Sequence, residues 1–82
     1  MKKTSFDQDL WGLTQFNEIG YDKCQGKLFI FYFSGTILEF QEVTEEDVFK
    51  IITSPNKEDL VENAFKKCFP FVHHQSQAAL SG

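Results

Sequence analysis

One cysteine lies where a reactive thiol could form. Cys24 follows Asp22 and Lys23 in DKCQGK, a stretch with the composition of a turn. A lysine beside a cysteine favours the thiolate, which is the nucleophilic form. The sequence holds no nucleophile elbow, glycine-rich phosphate loop or HExxH motif to go with it. We therefore interpret Cys24 as an unreactive turn residue, and we predict that Cys24 and Cys68 are both reduced thiols.

Three further side chains near the end of the chain are of metal-binding type. Cys68, His73 and His74 offer the sulfur and nitrogen donors that zinc prefers. Their spacing matches none of the established zinc patterns, and adjacent histidines in a polar tail are usually solvated. The sequence therefore predicts no metal site and no cofactor.

An acidic cluster opens the stretch TEEDVFKIIT. Glu45, Glu46 and Asp47 have the chemistry of a general acid and base pair. They also follow Thr44, a favourable N-cap residue, and acidic residues in the first turn of a helix complement its dipole. We interpret the cluster as a helix start, and we predict that the protein is not an enzyme.

Composition restricts the function classes further. The 82 residues are 41% hydrophobic and include ten phenylalanines, which predicts one small domain with an aromatic core. The net charge is −4 and all eight basic residues are lysine, which weighs against nucleic-acid binding because arginine supplies the bidentate contacts. No signal-like apolar run follows the first lysines, and no stretch approaches about 20 apolar residues. We therefore predict a cytoplasmic protein without a membrane segment.

The elements that position these residues follow from two periodicities. Alternation and turn residues predict strands over 15–22, 27–33 and 36–43, and helical spacing predicts helices over 45–53 and 56–69. The predicted fold is α+β, a three-stranded antiparallel β-meander followed by two α-helices packed on one face of the sheet. Residues 15–70 form this domain, residues 1–14 precede it, and residues 71–82 are predicted to be a flexible tail.

The strand KLFIFYF is apolar on both faces. One face is expected to lie under the helices and carries Leu28, Ile30 and Tyr32. The opposite face carries Phe29, Phe31 and Phe33. A solvated sheet face would be polar at these positions, so the sequence predicts that something covers the three rings.

Two coverings stay open at this point, and both can apply. Residues 1–14 could fold back over the sheet through Phe6 and Trp11. Alternatively, the rings form a protein interface, either with a partner or with a second copy in a homodimer, since an apolar patch of several hundred Å² usually marks an interaction site. The predicted partner-binding residues are Phe29, Phe31, Phe33 and Trp11.

The string IGYD…GKLFIFYFSGTILEFQEV…VFKII…SPNKEDLVENAF resembles the KTSC domain, a small bacterial module that also occurs at the end of some lysyl-tRNA synthetases. The resemblance runs from about Phe16 to Phe69. Its carriers include the IGYD run, the Ser34-Gly35 turn and Asn63. RNA binding has been suggested for this family, so the resemblance implies a similar α+β fold and an RNA-binding function.

The chain departs from the family pattern where RNA would be recognised. Leu38 and Phe40 occupy the positions of a Tyr-x-Tyr motif, and the lysines of FKKCF replace arginines. Family members usually carry charged residues where this chain has its three outer phenylalanines. These departures favour a function other than RNA binding.

The sequence therefore predicts a small non-catalytic protein-interaction module, an adaptor or inhibitor of the kind that phages or mobile elements encode, acting through the Phe-rich sheet face. The alternative is an RNA-binding module of the KTSC type. In that case exposed rings stack on bases while Lys27, Lys66 and Lys67 contact phosphates. The scarcity of positive charge favours the first prediction, because stacking without phosphate neutralisation gives weak binding. No small-molecule substrate is predicted.

Overall fold

The computed structural model describes residues 2–75, which contain an antiparallel sheet and several helices, as the predicted α+β class requires. Five strands lie in the order β1-β2-β3-β4-β5, each beside its neighbour in the sequence. Their bounds are β1 Lys2–Ser5, β2 Phe16–Asp22, β3 Lys27–Tyr32, β4 Thr36–Phe40 and β5 Phe71–Gln75.

The three central strands form the predicted meander, and their turns are specified locally. The Asp22 carboxylate accepts hydrogen bonds from the backbone N–H groups of Cys24 (3.0 Å) and Gln25 (3.2 Å). Gly26 then takes a positive φ of 66°, a conformation that costs glycine little. Strand β4 ends at Phe40, three residues before the predicted end.

The prediction of three strands is wrong in number, because one strand is added at each edge of the meander. Strand β1 pairs with β2 through Lys2–Ser5, and β5 pairs with β4 so that Phe71 lies opposite Phe40. The predicted flexible tail over 71–82 therefore begins with a strand. Its remaining part, 76–82, lies outside the described residues.

Helices occupy both predicted positions, and a short additional helix precedes the meander. The helices are α1 Gln8–Trp11, α2 Glu45–Thr53, α3 Lys57–Leu60 and α4 Lys66–Cys68, with a π-helical segment over Val61–Phe65 between the last two. The second predicted helix is thus one helical run over 57–68 that widens in its middle. The first turn of α2 is fixed by a capping box, in which Thr44 and Asp47 each bond the other's backbone N–H.

One face of the sheet packs against the helices and forms the core. The sheet contributes Ile19, Leu28, Ile30, Leu38 and Phe40, and the helical segments contribute Val48, Ile51, Val61 and Phe65. The Phe40 and Phe65 rings meet edge to face with their centroids 5.7 Å apart. The predicted inner face of β3 is therefore the face that the helices cover.

One of the two expected coverings of the Phe-rich face was residues 1–14, folded back through Phe6 and Trp11. The structure places both side chains elsewhere. Phe6 and Leu13 are buried in the core on the helix side of the sheet, and Trp11 packs against that core. The physical reason is the strand pairing of β1, which extends the sheet sideways and directs the following residues towards α3. The Phe-rich face therefore has no covering layer among residues 2–75.

Candidate functional site

The sheet face opposite the helices, called here the open face, carries two rows of side chains that cross all five strands. Strand pairing places residues of one row opposite one another. The first row is Lys3, Gly20, Phe29, Glu39 and Val72. The second row is Ser5, Glu18, Phe31, Ile37 and His74. The two phenylalanines lie on the central strand, so they occupy the middle of the open face.

A shallow depression of about 350 Å³ lies in the open face, on the side towards β5. Its lining consists of Phe29, Phe31, Ile37, Glu39 and His74. Gly20 lies opposite Phe29 in β2, so no side chain of β2 stands directly beside that ring in its row. The depression is mostly apolar, with one carboxylate and one imidazole at its border.

Phe33 does not join the other two rings in this depression. It follows the last residue of β3, and its backbone N–H donates to the carbonyl oxygen of Gln15 (2.8 Å). The side chain is 50% exposed. The structure therefore brings together two of the three predicted phenylalanines.

Glu39 is the charged group at the border of this depression. Its carboxylate lies 3.1 Å from His74 Nε2 and 3.5 Å from Lys27 Nζ, and its side chain is only 12% exposed. Burial by itself would raise the pKa of Glu39, but the hydrogen bond with His74 and the charge of Lys27 outweigh burial and lower that pKa below its ordinary value. Glu39 is thus an ionised acceptor within an apolar patch.

A cation borders the open face on the other side. Lys3 Nζ lies 5.1 Å from the centre of the Phe31 ring, within the range of a cation–π contact. Lys3 belongs to the edge strand β1, and it is exposed. Phe31 therefore has a positive group on one side and the apolar depression on the other.

Two of the three lysines predicted to contact RNA do not share a surface with the aromatic rings. Lys66 and Lys67 belong to α4, in the helical layer on the other side of the sheet, and Lys66 pairs with Glu62 at 2.9 Å. Lys27 is near the open face but is paired with Glu39. Phosphate contacts by Lys66 and Lys67 would thus lie on the side of the molecule opposite the rings.

Trp11 is also separated from the open face, in contrast to its predicted grouping with Phe29, Phe31 and Phe33. Its ring lies against the ammonium group of Lys57, whose Nζ is 3.8 Å from the ring centre and 4.7 Å from that of Phe6. Strand β1 places Phe6 on the helix side, and α1 then carries Trp11 to α3. Trp11 therefore has a structural role in the core.

Lys57 itself is a buried cation that the sequence did not reveal. It is 1% exposed, and its Nζ donates to the carbonyl oxygens of Ile51 (3.0 Å), Ile52 (2.5 Å) and Ser54 (3.0 Å). These carbonyls belong to the C-terminal end of α2, where a cation complements the helix dipole. Burial lowers the pKa of Lys57.

The neighbouring residue, Glu58, binds the N-terminal segment at Thr14 and Gln15. Its carboxylate accepts hydrogen bonds from the backbone N–H groups of Thr14 (2.8 Å) and Gln15 (2.5 Å), and from the Thr14 hydroxyl (3.2 Å). Lys57 and Glu58 together tie residues 6–16 to the start of α3. The only sequence signal for them was their place in the first turn of a helix, which usually indicates a solvated residue.

The histidines and cysteines considered above as metal ligands or nucleophiles do not lie together in the structure. His73 lies opposite Leu38 on the helix side, whereas His74 lies on the open face, so the two imidazoles point away from each other. Cys24 and Cys68 are free and exposed. Within residues 2–75, no three His, Cys, Asp or Glu side chains are arranged to hold a metal ion.

Comparison with known proteins adds no relative: no protein-family model and no curated protein sequence matches the chain. In the described part of the chain, no helix is long and apolar enough to cross a membrane. The function must therefore be inferred from the surfaces of the molecule itself.

Proposed function

We propose that this protein is a small non-catalytic protein-interaction module, an adaptor or inhibitor, that binds a protein partner through the open face. The observation that supports this most is the position of Phe29 and Phe31, which lie on the central strand of a face without a covering layer among residues 2–75. Large aromatic side chains at the centre of a patch are typical of the residues that dominate binding energy.

The shape and charge of the open face define the partner it would fit. A depression of about 350 Å³ accepts one or two apolar side chains that project from the partner. Glu39 would be buried further by such contact, and a buried carboxylate needs a hydrogen-bond donor. The partner is therefore expected to present an apolar projection with a hydrogen-bond donor or a basic group beside it.

RNA binding of the KTSC type is the alternative, and the arrangement of charges supports it less well. Base stacking on Phe29 and Phe31 would need cations on the same face to neutralise phosphates. Lys66 and Lys67 lie in the helical layer, and Lys27 is paired with Glu39. Only Lys3 borders the two rings as a cation without an acidic partner among the described residues.

The test compares Phe31→Ser with Phe33→Ser, a matched change at the exposed residue that follows the same strand. Partner capture from extracts of the native cell and sedimentation of the purified protein are measured for both variants. We expect both variants to remain folded. Phe31→Ser should lose the partner, or the self-association, that Phe33→Ser retains.

Two results would contradict the proposal. A folded, monomeric Phe31→Ser protein that still captures the same partner would show that the open face is not the binding surface. RNA binding with a sub-micromolar Kd near physiological salt, weakening as salt rises and lost in Phe31→Ser, would establish the alternative instead.

A further inference from the structure

A second surface lies on the helix side of the sheet, at the edge formed by β1. A groove of about 240 Å³ separates β1 from α2. Its apolar lining comes from Tyr21, Val48, Phe49 and Ile52, with Thr4 on the side of the strand. Phe49 is 63% exposed, so a large aromatic ring stands beside the groove with most of its surface in water.

The backbone of β1 borders this groove with unpaired hydrogen-bonding groups. The backbone N–H of Phe6 donates to the carbonyl oxygen of Asn17 (2.8 Å), which sets the alternation of the antiparallel pairing with β2. By that alternation, Thr4 directs its backbone groups towards β2, and Lys3 and Ser5 direct theirs away from the sheet. Within residues 2–75, no other strand lies on the outer side of β1. Such an edge is a template for one more strand.

An extended peptide that pairs with this edge would have side chains alternating between two environments. Side chains opposite Thr4 would point to the helix side and enter the groove next to Phe49. The side chain opposite Lys3 would lie on the same side as the Lys3 ammonium group, where an acidic residue is favoured. An extended segment that alternates apolar and acidic residues therefore complements both features.

The same charges disfavour a second copy of this chain as the occupant. Pairing β1 with the β1 of another copy would bring Lys2 and Lys3 of both chains onto adjoining strands, where like charges repel. Lysines on an edge strand commonly prevent such self-pairing. An acidic peptide would instead be attracted to them. Glu45, at the end of the groove, is already paired with Lys23 at 3.2 Å.

We propose that β1 and α2 form a second docking site, which binds an extended segment of another protein by strand addition, with an apolar side chain beside Phe49 and an acidic side chain beside Lys3. The mode is β-augmentation, in which main-chain hydrogen bonds give affinity and side-chain pockets give specificity. This site is separate from the depression of the open face, so one molecule can join two proteins.

The test titrates the full chain with a synthetic peptide, Val-Glu-Val-Glu-Val, and with its counterpart Val-Lys-Val-Lys-Val, and follows backbone amide resonances. We expect saturable binding of the acidic peptide, with the largest shifts at Lys3 and Ser5. The basic peptide should bind at least about tenfold more weakly, because of the charges on β1. N-methylation of the acidic peptide's backbone should abolish binding, because it removes the main-chain donors.

Variants separate the groove from unspecific adhesion. Phe49→Ala should weaken binding of the acidic peptide about tenfold, whereas Leu10→Ala, which truncates a still more exposed apolar side chain on α1, should leave it unchanged. Equal binding of both peptides, wild-type affinity in Phe49→Ala, no saturable binding, or shifts centred on Phe29 and Phe31 would each overturn the proposal.

Discussion

The two faces of strand β3 are similar in hydrophobicity but differ in burial, since Phe29 and Phe31 are half-buried. Leu28 and Ile30 are fully buried (0% exposed) under the helices. Phe29 and Phe31 alternate with them but lie on a face without a covering layer among residues 2–75. Apolar character alone therefore does not distinguish a core from a binding surface. The face of β3 that becomes the core is the one that the helices cover, and these helices are distant from β3 in the sequence.

The sharpest way to test this comparison is to place a charge on each face. Leu28→Asp should abolish cooperative unfolding, because the carboxylate would be buried without a partner. Phe29→Asp should still fold, because the carboxylate can reach water on the open face. Thermal melting followed by circular dichroism checks both variants. A cooperative, near-native melt of Leu28→Asp would show that the two faces have been assigned the wrong way round.

The core side also depends on the buried ammonium group of Lys57. Lys57→Met keeps an unbranched side chain, one atom shorter, but leaves the carbonyls at the end of α2 without their donor, so we expect a loss of about 2 kcal/mol or more in the free energy of unfolding. Lys50→Met is the matched control on the exposed side of α2 and should change stability little. Urea unfolding measures both variants. Equal stabilities would mean that the ammonium group contributes nothing to the core.

The charge network of the open face predicts a smaller effect that depends on pH. The pKa of Glu39 is lower in the folded state than its ordinary value, so the folded protein binds this proton less tightly than the unfolded chain. The resulting stabilisation is complete above the ordinary pKa of a glutamate and is lost as the pH falls through the lowered folded value.

Glu39→Gln removes that contribution. The stability difference between wild type and Glu39→Gln should therefore shrink between roughly pH 7 and pH 3. Glu18→Gln, on the same face, is the control in the same urea titrations. A wild-type advantage that grows on acidification would contradict the assigned direction of the shift.

The smallest effect is expected beyond the end of β3. Phe33 is 50% exposed and lies outside the depression, so Phe33→Ser should change the free energy of unfolding by no more than about 0.5 kcal/mol. Thermal melting measures the change. A loss of stability as large as that of a core substitution would mean that the Phe33 side chain is buried in the folded protein.

The central strands could be predicted because their signals are local. Leu28 and Ile30 alternate with Phe29 and Phe31, and a turn with Asp22 at its start precedes them. The edge strands could not be predicted, because KKTS and FVHHQ are short and polar and become strands only by pairing with β2 and β4.

The candidate site was predictable only in part, for the same reason. The alternation along β3 identified Phe29 and Phe31, but Ile37, Val72 and His74 join them through the pairing of β4 and β5 with the meander. Lys57 was missed because its burial depends on Phe6 and Trp11, which are distant in sequence. These contacts have no local signature.

The attachment of the N-terminal segment to Lys57 and Glu58 has a consequence for synthesis on the ribosome. Residues 6–16 leave the ribosome well before the residues that hold them, since chains are made from the N-terminus. During that interval residues 6–16 lack the contacts that fix them in the folded domain, and the lysines of β1 limit pairing with other nascent chains. The order of translation therefore makes the segment over 6–16 one of the last parts of the domain to become fixed.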